Sequence, residues 1–203
     1  MKCELTKEQF LRDIKRHEMT IKQDDGVFRH IKFSIPNNSN MHFYLTTWPN
    51  HLCISGDMGT MVFSRINDMF EFFGGGELEV NPSYWAQKSM SESQFGCGIE
   101  EWDSDAFEEA VMDEYNNYLE ENDLNEDDEQ AVELLEQMTD EILDYSESDH
   151  EAYVAINNFY YDSNYNFFED FRYNCTKYTY HYMWLIHAIK WGVIKYKGVD
   201  VTI

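Results

Sequence analysis

The middle of this chain contains no basic residue over 83 consecutive positions. Residues 89–171 hold 27 Asp and Glu, whereas the other 120 residues hold 12 acids and all 15 Lys and Arg. A helix in this segment cannot gain from Glu–Lys pairs four residues apart, and like charges at that spacing cost about 0.2–0.5 kcal/mol each. General acidification of a salt-adapted kind does not explain the pattern, because the first fifty residues carry eight bases and six acids.

The whole chain of 203 residues has a formal charge of −24 and is 43% hydrophobic. It can therefore fill the core of one or two domains. A surface this negative repels phosphate, so we expect no direct binding to nucleic acid or to an anionic membrane. The cysteines at positions 3, 53, 97 and 175 lack zinc-site spacing and indicate reduced thiols. With no secretory segment at its start and no apolar run long enough to span a bilayer, the protein is expected in the cytoplasm.

The first 90 residues show the alternation of an antiparallel sheet. A capping box beginning at Thr6 starts a short helix that should end near His17. A second helix, with its apolar residues from Ile66 to Phe73, should end at the three glycines that follow. The predicted strands are Ile31–Ile35, Phe43–Thr47, Leu52–Ser55 and Thr60–Ser64, the last two joined by a hairpin at Gly56–Gly59.

From Ser104 onward the pattern is helical. Two amphipathic helices, a third that starts at the capping box of Ser148, a buried helix over Tyr180–Trp191 and a last strand over Val199–Ile203 are predicted. The fold class is therefore α+β: an N-terminal antiparallel sheet with short helices in residues 1–90, and a strongly acidic, mostly helical unit in residues 91–203. The second unit could pack on the first as one compact body.

Four short motifs between Gly26 and Phe73 follow one another closely: His42–Pro49, Leu52–Thr60, Val62–Arg65 and Asp68–Phe73. Together they resemble a family of small, mostly uncharacterised accessory proteins of tailed bacteriophages. This resemblance covers roughly the first 90 residues and implies a phage origin. The helical half is similar in its charge profile to phage proteins that imitate DNA and so block restriction or CRISPR enzymes.

Few residues are candidates for enzymatic chemistry. Cys53 has His51 and His42 nearby in sequence, as a thiol nucleophile and its base would require, but Cys in an apolar strand is more often a small buried hydrophobe. Asp57 lies in the hairpin, where a carboxylate usually shapes the turn. The glycines at 74–76 lack the Gly-Lys-Ser/Thr of a phosphate loop. We predict no catalytic residue, no metal site and no cofactor.

Two of the predicted helices carry carboxylates along one face. At 100° per residue these carboxylates form a narrow stripe opposite the apolar residues. A rise of about 1.5 Å per residue places neighbours about 5–6 Å apart, comparable to about 6–7 Å between phosphates along one DNA strand. The predicted phosphate-mimicking residues are Asp105, Glu109, Asp113 and Glu120 on the first helix, and Glu129, Glu133, Glu136, Asp140 and Asp144 on the second.

These features favour a non-enzymatic protein made by a phage and acting in the cytoplasm of the host bacterium. We expect stoichiometric inhibition of a nucleic-acid-targeting defence complex, either CRISPR-Cas or restriction, by DNA mimicry. Its partner would be a basic nucleic-acid-binding protein or complex of the host. The sequence is also compatible with a homodimer. The alternatives are a metal-dependent enzyme that processes nucleic acid, a non-mimic interaction module of phage development, and an acidic face that only confers solubility.

Overall fold

The strands of the N-terminal sheet follow one another both in sequence and in space. The computed structural model describes residues 5–91, 98–162, 165, 167–168 and 175–198. Within these residues, six strands form one antiparallel sheet in chain order, and two more pair separately. The six are β1 (Glu18–Asp25), β2 (Phe28–Ser34), β3 (Phe43–Trp48), β4 (His51–Gly56), β5 (Gly59–Ser64) and β6 (Ser89–Ser91); the separate pair is β7 (Glu100–Trp102) and β8 (Thr176–Tyr178).

The helices divide between two compact units of the chain. Unit 1 comprises Met1–Glu101 and Tyr178–Ile203, and unit 2 comprises Trp102–Lys177. The predicted fold class, α+β with a mostly helical, acidic second region, is confirmed. The helices are α1 (Lys7–Ile14), α2 (Met69–Phe72), α3 (Pro82–Ala86), α4 (Ser104–Glu121), α5 (Glu129–Glu141), α6 (Asp149–Asn158) and α7 (Tyr180–Tyr196), with a 3₁₀ turn at Leu143–Tyr145.

The sheet of unit 1 buries one face under α7. Side chains alternate along β2 to β5, so that every second residue enters the core, as the sequence predicts. At the crossing point a Cβ on Gly192 of α7 would lie 2.7 Å from Leu45 and 3.2 Å from the ring of Phe33. A side chain at position 192 would therefore force Leu45 and Phe33 to move. Among the described residues, none of the helices is long and apolar enough to cross a bilayer.

The position of α7 corrects the predicted division of the chain at residues 90 and 91. The buried helix exists where expected, but it belongs to unit 1 and not to the acidic unit. Its residues from Trp184 to Ile194 are almost all buried, and a helix that is apolar on every side must be covered on every side. The sheet and α1 and α3 supply part of that cover. The expected strand at Val199–Ile203 lies outside the described residues.

Strand β1 is missing from the sequence prediction, which continues α1 to His17 and then places a turn. The helix ends at Ile14, although its predicted capping box is confirmed. β1 is exposed along nearly all its length, so no apolar alternation marks it. It is an edge strand that pairs only with β2 among the described residues, with an irregularity between Ile21 and Gln23. Charged side chains and a local irregularity on an edge strand discourage pairing with another chain.

Candidate protein-binding site

Apolar contacts hold the helices of unit 2 together. On α4 the buried residues follow the predicted helical spacing, from Phe107 to Leu119. On α5 the apolar positions expected from the sequence are Val132, Leu135, Met138 and Ile142, and this prediction is partly wrong. Met138 and Ile142 are buried together with Ala131 and Leu134, whereas Val132 is 44% exposed. The buried set thus begins one position earlier than expected. It still occupies the face opposite the acidic stripe, since residues 131, 134 and 138 are separated by three and four.

Two features that stabilise helices, a side-chain N-cap and a base in the last turn, are absent from α4 and α5. Neither N-cap residue, Asp103 or Asp128, makes a side-chain capping hydrogen bond. The last turns contain no base and instead carry acids, among them Glu121 and Glu141. Negative charge at a helix C-terminus opposes the helix dipole and costs about 0.3–1 kcal/mol. By contrast, α1 in unit 1 has both a capping box and Arg12 in its last turn.

All nine predicted phosphate-mimicking carboxylates are exposed to solvent. Four lie on α4 and four on α5, as expected. Asp144 is the exception: it lies on the 3₁₀ turn after α5, because the backbone leaves α-helical geometry at Ile142 (φ −126°, ψ −58°). The hydroxyl of Ser146 donates to Glu108 of α4 at 2.6 Å, and this contact fixes the turn that carries Asp144.

None of these nine carboxylates forms an ion pair with another described residue. The bases that form ion pairs with described acids are Arg29, Lys177 and Lys197. In unit 2, Lys177 pairs with Asp103 at 3.4 Å, and Asp103 is not one of the nine. Unit 2 holds 24 Asp and Glu against two bases, a formal charge of −22. Unit 1, with 15 acids and 13 bases, has a charge of only −2. The negative charge is therefore confined to one unit and is almost entirely uncompensated within it.

Burial and nearby carboxylates together raise the pKa of two groups in unit 2. Burial raises the pKa of Glu114 on α4, and the neighbouring carboxylates of Asp113 and Glu121 raise it further. Burial also raises the pKa of Tyr161, with a contribution from Glu133 of α5. Both shifts disfavour additional negative charge. The contributions of Asp113, Glu121 and Glu133 to these shifts are those of a negative local potential, which would attract a cationic partner.

Two clefts border the acidic stripe of α5. One, of about 570 Å³, includes Asp140 and Tyr145 in its lining, and the other, of about 720 Å³, includes Glu129, Glu133 and Tyr160. Tyr145 is 47% exposed and Tyr160 is 66% exposed. In the sequence, apolar residues at helical spacing after Ser148 extend to Tyr160 and predict a longer helix, but α6 ends at Asn158. The consecutive asparagines 157 and 158, which favour a helix end over a helix interior, are the signal that could have revealed this.

The other candidates from the sequence do not form a reactive site. Burial raises the pKa of the Cys53 thiol, which keeps it neutral, and such a thiol is a poor nucleophile. The rings of His42 and His51 direct Nδ1 to the backbone carbonyls of Ser39 and Pro49. Asp57 accepts a hydrogen bond from the Met41 amide at 2.8 Å and so shapes its loop. Within the described part of the chain, no group of three or more His, Cys, Asp and Glu side chains could hold a metal ion.

Comparison of the chain with models of protein families, with curated proteins and with solved structures finds no match. The relationship to accessory proteins of tailed phages therefore stays a prediction. Any inference about function depends on the charge, exposure and packing of this chain's own residues.

Proposed function

We propose that this protein is a stoichiometric inhibitor that occupies the nucleic-acid channel of a basic host protein or complex. The observation that carries the proposal is the set of exposed, unpaired carboxylates on α4 and α5. They would stand in for DNA phosphates and exclude DNA by competition. Within a phage infection, the target would be a CRISPR-Cas or restriction complex in the bacterial cytoplasm.

The geometry of α5 supports this mechanism. The carboxylates from Glu129 to Asp140 lie on one face of a continuous helix. At about 1.5 Å per residue they cover roughly 16 Å, which is about the axial length of five base pairs at 3.4 Å each. A channel whose lysines and arginines are spaced for phosphates would therefore meet several carboxylates at once.

The energetics of unit 2 also support a binding role. A face that serves only solubility can include Lys beside Glu and gain stability, while this face accepts repulsion along the helix and at its C-terminus. Bringing a cationic partner against it would relieve that repulsion. Association should be fast at low ionic strength and should weaken with added salt, since charge attraction is screened beyond about 8 Å at physiological ionic strength.

The exposed tyrosines supply the remaining specificity in this proposal. Tyr145 and Tyr160 lie in the lining of the clefts beside the stripe. An aromatic ring next to carboxylates can accept an arginine guanidinium by a cation–π contact while a carboxylate pairs with it. A channel that grips DNA with arginine would thus bind the clefts as well as the stripe.

A pair of matched variants tests the proposal. The stripe variant carries Glu129→Gln, Glu133→Gln, Glu136→Gln and Asp140→Asn. The control variant removes four negative charges from exposed positions of unit 2 outside its α-helices: Asp123→Asn, Glu126→Gln, Asp127→Asn and Glu147→Gln. Both variants have the same net charge, so a difference between them reports the position of the charge and not its amount.

The measurement is the capture of host proteins from lysate, followed by a DNA competition assay on the captured protein. We expect wild type and the control variant to retain a nucleic-acid-binding protein that the stripe variant loses. Wild type should then abolish the DNA binding of that protein at a ratio of one to one. Retention by the stripe variant, or DNA binding that persists at saturating wild type, would refute the proposal.

A further inference from the structure

A cleft lined by residues of unit 1 includes a buried lysine in its lining. It lies among the loop after α2, the start of α3 and the middle of α7, and its volume is about 600 Å³. A cleft of that size matches the range of small-molecule sites, about 300–1,000 Å³. Its lining includes Gly75, Gly76, Val80, Pro82, Trp85 and Lys190.

Lys190 is an unusual residue to find in this lining. It is only 6% exposed, whereas a lysine on a buried helix usually extends its ammonium group into water. Among the described residues, Nζ makes one hydrogen bond, a long one of 3.4 Å to the carbonyl oxygen of Gly75. An ammonium group has three N–H donors. Two donors of Lys190 thus have no described protein acceptor at the edge of an open cleft.

The neighbouring groups do not neutralise this lysine. Burial lowers the pKa of Lys190, Lys197 lowers it further, and only Glu79 acts in the opposite direction. Glu79 is exposed, and Lys197 is already paired with Glu71 at 2.9 Å. The cost of burying a cation with one weak contact is offset when a ligand brings an acceptor to it.

The glycines keep the ammonium group accessible. Gly75 has φ of +138°, which side chains rarely allow, and a Cβ at this position would lie 3.1 Å from Nζ. A Cβ on Gly76 would meet no atom within 4 Å, so the space beside it is open. The sequence prediction treats these glycines only as a helix stop. In the structure Gly75 also leaves room for the ammonium group, since any larger residue at this position would crowd Lys190.

We propose that this cleft binds a small organic monocarboxylate with an apolar or aromatic body. The carboxylate would accept hydrogen bonds from Nζ of Lys190, and the body would lie against Val80, Pro82 and Trp85. Glu77 and Glu79 are exposed in the same lining. Their charge would repel phosphate, sulfate and other multiply charged anions, so one negative charge next to an apolar body is the best match.

Nuclear magnetic resonance titration with benzoate, acetate and inorganic phosphate tests the site in the full chain. We expect benzoate to shift the Gly75 and Gly76 amides and the Trp85 indole with a Kd near or below about 1 mM, with acetate weaker and phosphate without effect. Lys190→Met should weaken benzoate binding about tenfold or more, and Glu79→Gln should tighten it severalfold.

Lys195→Met is the matched control, because Lys195 is an exposed lysine of the same helix. It should bind benzoate like wild type. If Lys190→Met fails to fold, Lys190→Gln takes its place. The site is refuted if benzoate causes no shift up to about 10 mM, if the Lys190 variant binds as wild type does, or if phosphate binds more tightly than benzoate. None of these results depends on the acidic helices, so they leave the inhibitor proposal untouched.

Discussion

Arg29 on β2 donates two parallel hydrogen bonds to Asp68, from Nη1 to Oδ1 at 2.9 Å and from Nη2 to Oδ2 at 2.8 Å. The guanidinium also lies 4.8 Å from the ring centroid of Phe70 and 5.5 Å from that of Tyr196. Asp68 in turn caps α2 by accepting a hydrogen bond from the Phe70 amide. One side chain therefore ties together a strand, a short helix and the C-terminal helix of unit 1.

Arg29→Lys should lower the free energy of unfolding of unit 1 by about 1–3 kcal/mol, because lysine keeps the charge but loses both the bidentate contact and the stacking. Urea unfolding followed by nuclear magnetic resonance resolves the two units. The control is Arg65→Lys, since Arg65 is exposed, and it should have no measurable effect. Equal stability of the two variants would mean that this network is not important for the fold.

Neutralising the stripe should stabilise unit 2. In the variant defined above, the three like-charge contacts between successive stripe residues disappear. At about 0.2–0.5 kcal/mol each, their loss should raise the free energy of unfolding by roughly 1 kcal/mol. The control variant leaves these contacts in place, so its free energy of unfolding should rise less. A stripe variant that is less stable than wild type would show that these carboxylates have an undetected structural partner.

The stability of unit 1 should fall as the solution becomes acidic. His187 is 5% exposed, stacks on Phe10, and has no described partner at Nδ1. Burial, with a contribution from Lys7, lowers its pKa from 6.5 to about 4. Between these values the unfolded chain binds a proton that the folded protein does not. Stability therefore decreases from pH 6.5 to pH 4, by at most roughly 3 kcal/mol.

His187→Phe should flatten this pH dependence, whereas His150→Gln, an exposed position in unit 2, should not. The check is urea unfolding of both variants and wild type at pH 7 and at pH 5. If wild type and His187→Phe lose stability equally, another group of unit 1 is responsible for the pH dependence.

Glu114 should give unit 2 the opposite response. Its pKa is raised above the ordinary value of 4.5 by burial and by Asp113 and Glu121. The folded state thus takes up a proton at higher pH than the unfolded chain, and stability rises as pH falls toward 4.5. Glu114→Gln should stabilise unit 2 at pH 7 by a few tenths of a kcal/mol and reduce its gain at pH 5. The exposed Glu120→Gln serves for comparison in the same unfolding measurements.

Much of the fold could be predicted because local patterns decide it. The alternation along β2 to β5, the capping box at Thr6 and the N-cap at Ser148 leave few other choices for those segments. β1 could not be found this way, since an exposed edge strand is fixed by its backbone pairing with β2 and not by buried side chains. The location of α7 in unit 1 depends on contacts between residues far apart in sequence, such as Gly192 with Leu45.

The candidate sites also divide into features that local patterns predict and features that depend on long-range contacts. The carboxylate stripes on α4 and α5, from Asp105 to Asp140, follow from helical periodicity. When one face of an amphipathic helix is buried, the charged residues on the opposite face are exposed to solvent. The displacement of Asp144 depends on a backbone change at Ile142 that no spacing rule contains. The cleft at Lys190 was not predictable, since Gly75 and Lys190 are 115 positions apart.

Unit 1 is interrupted in sequence by the whole of unit 2, and this has a consequence for synthesis. The ribosome completes β5 at residue 64 but starts α7 only at residue 180. At 5–20 residues per second the apolar face of the sheet waits roughly 10 s for its covering helix. The whole of unit 2 is synthesised during that interval. Its charge of −22 would repel neighbouring nascent chains and protect the unfinished sheet from aggregation.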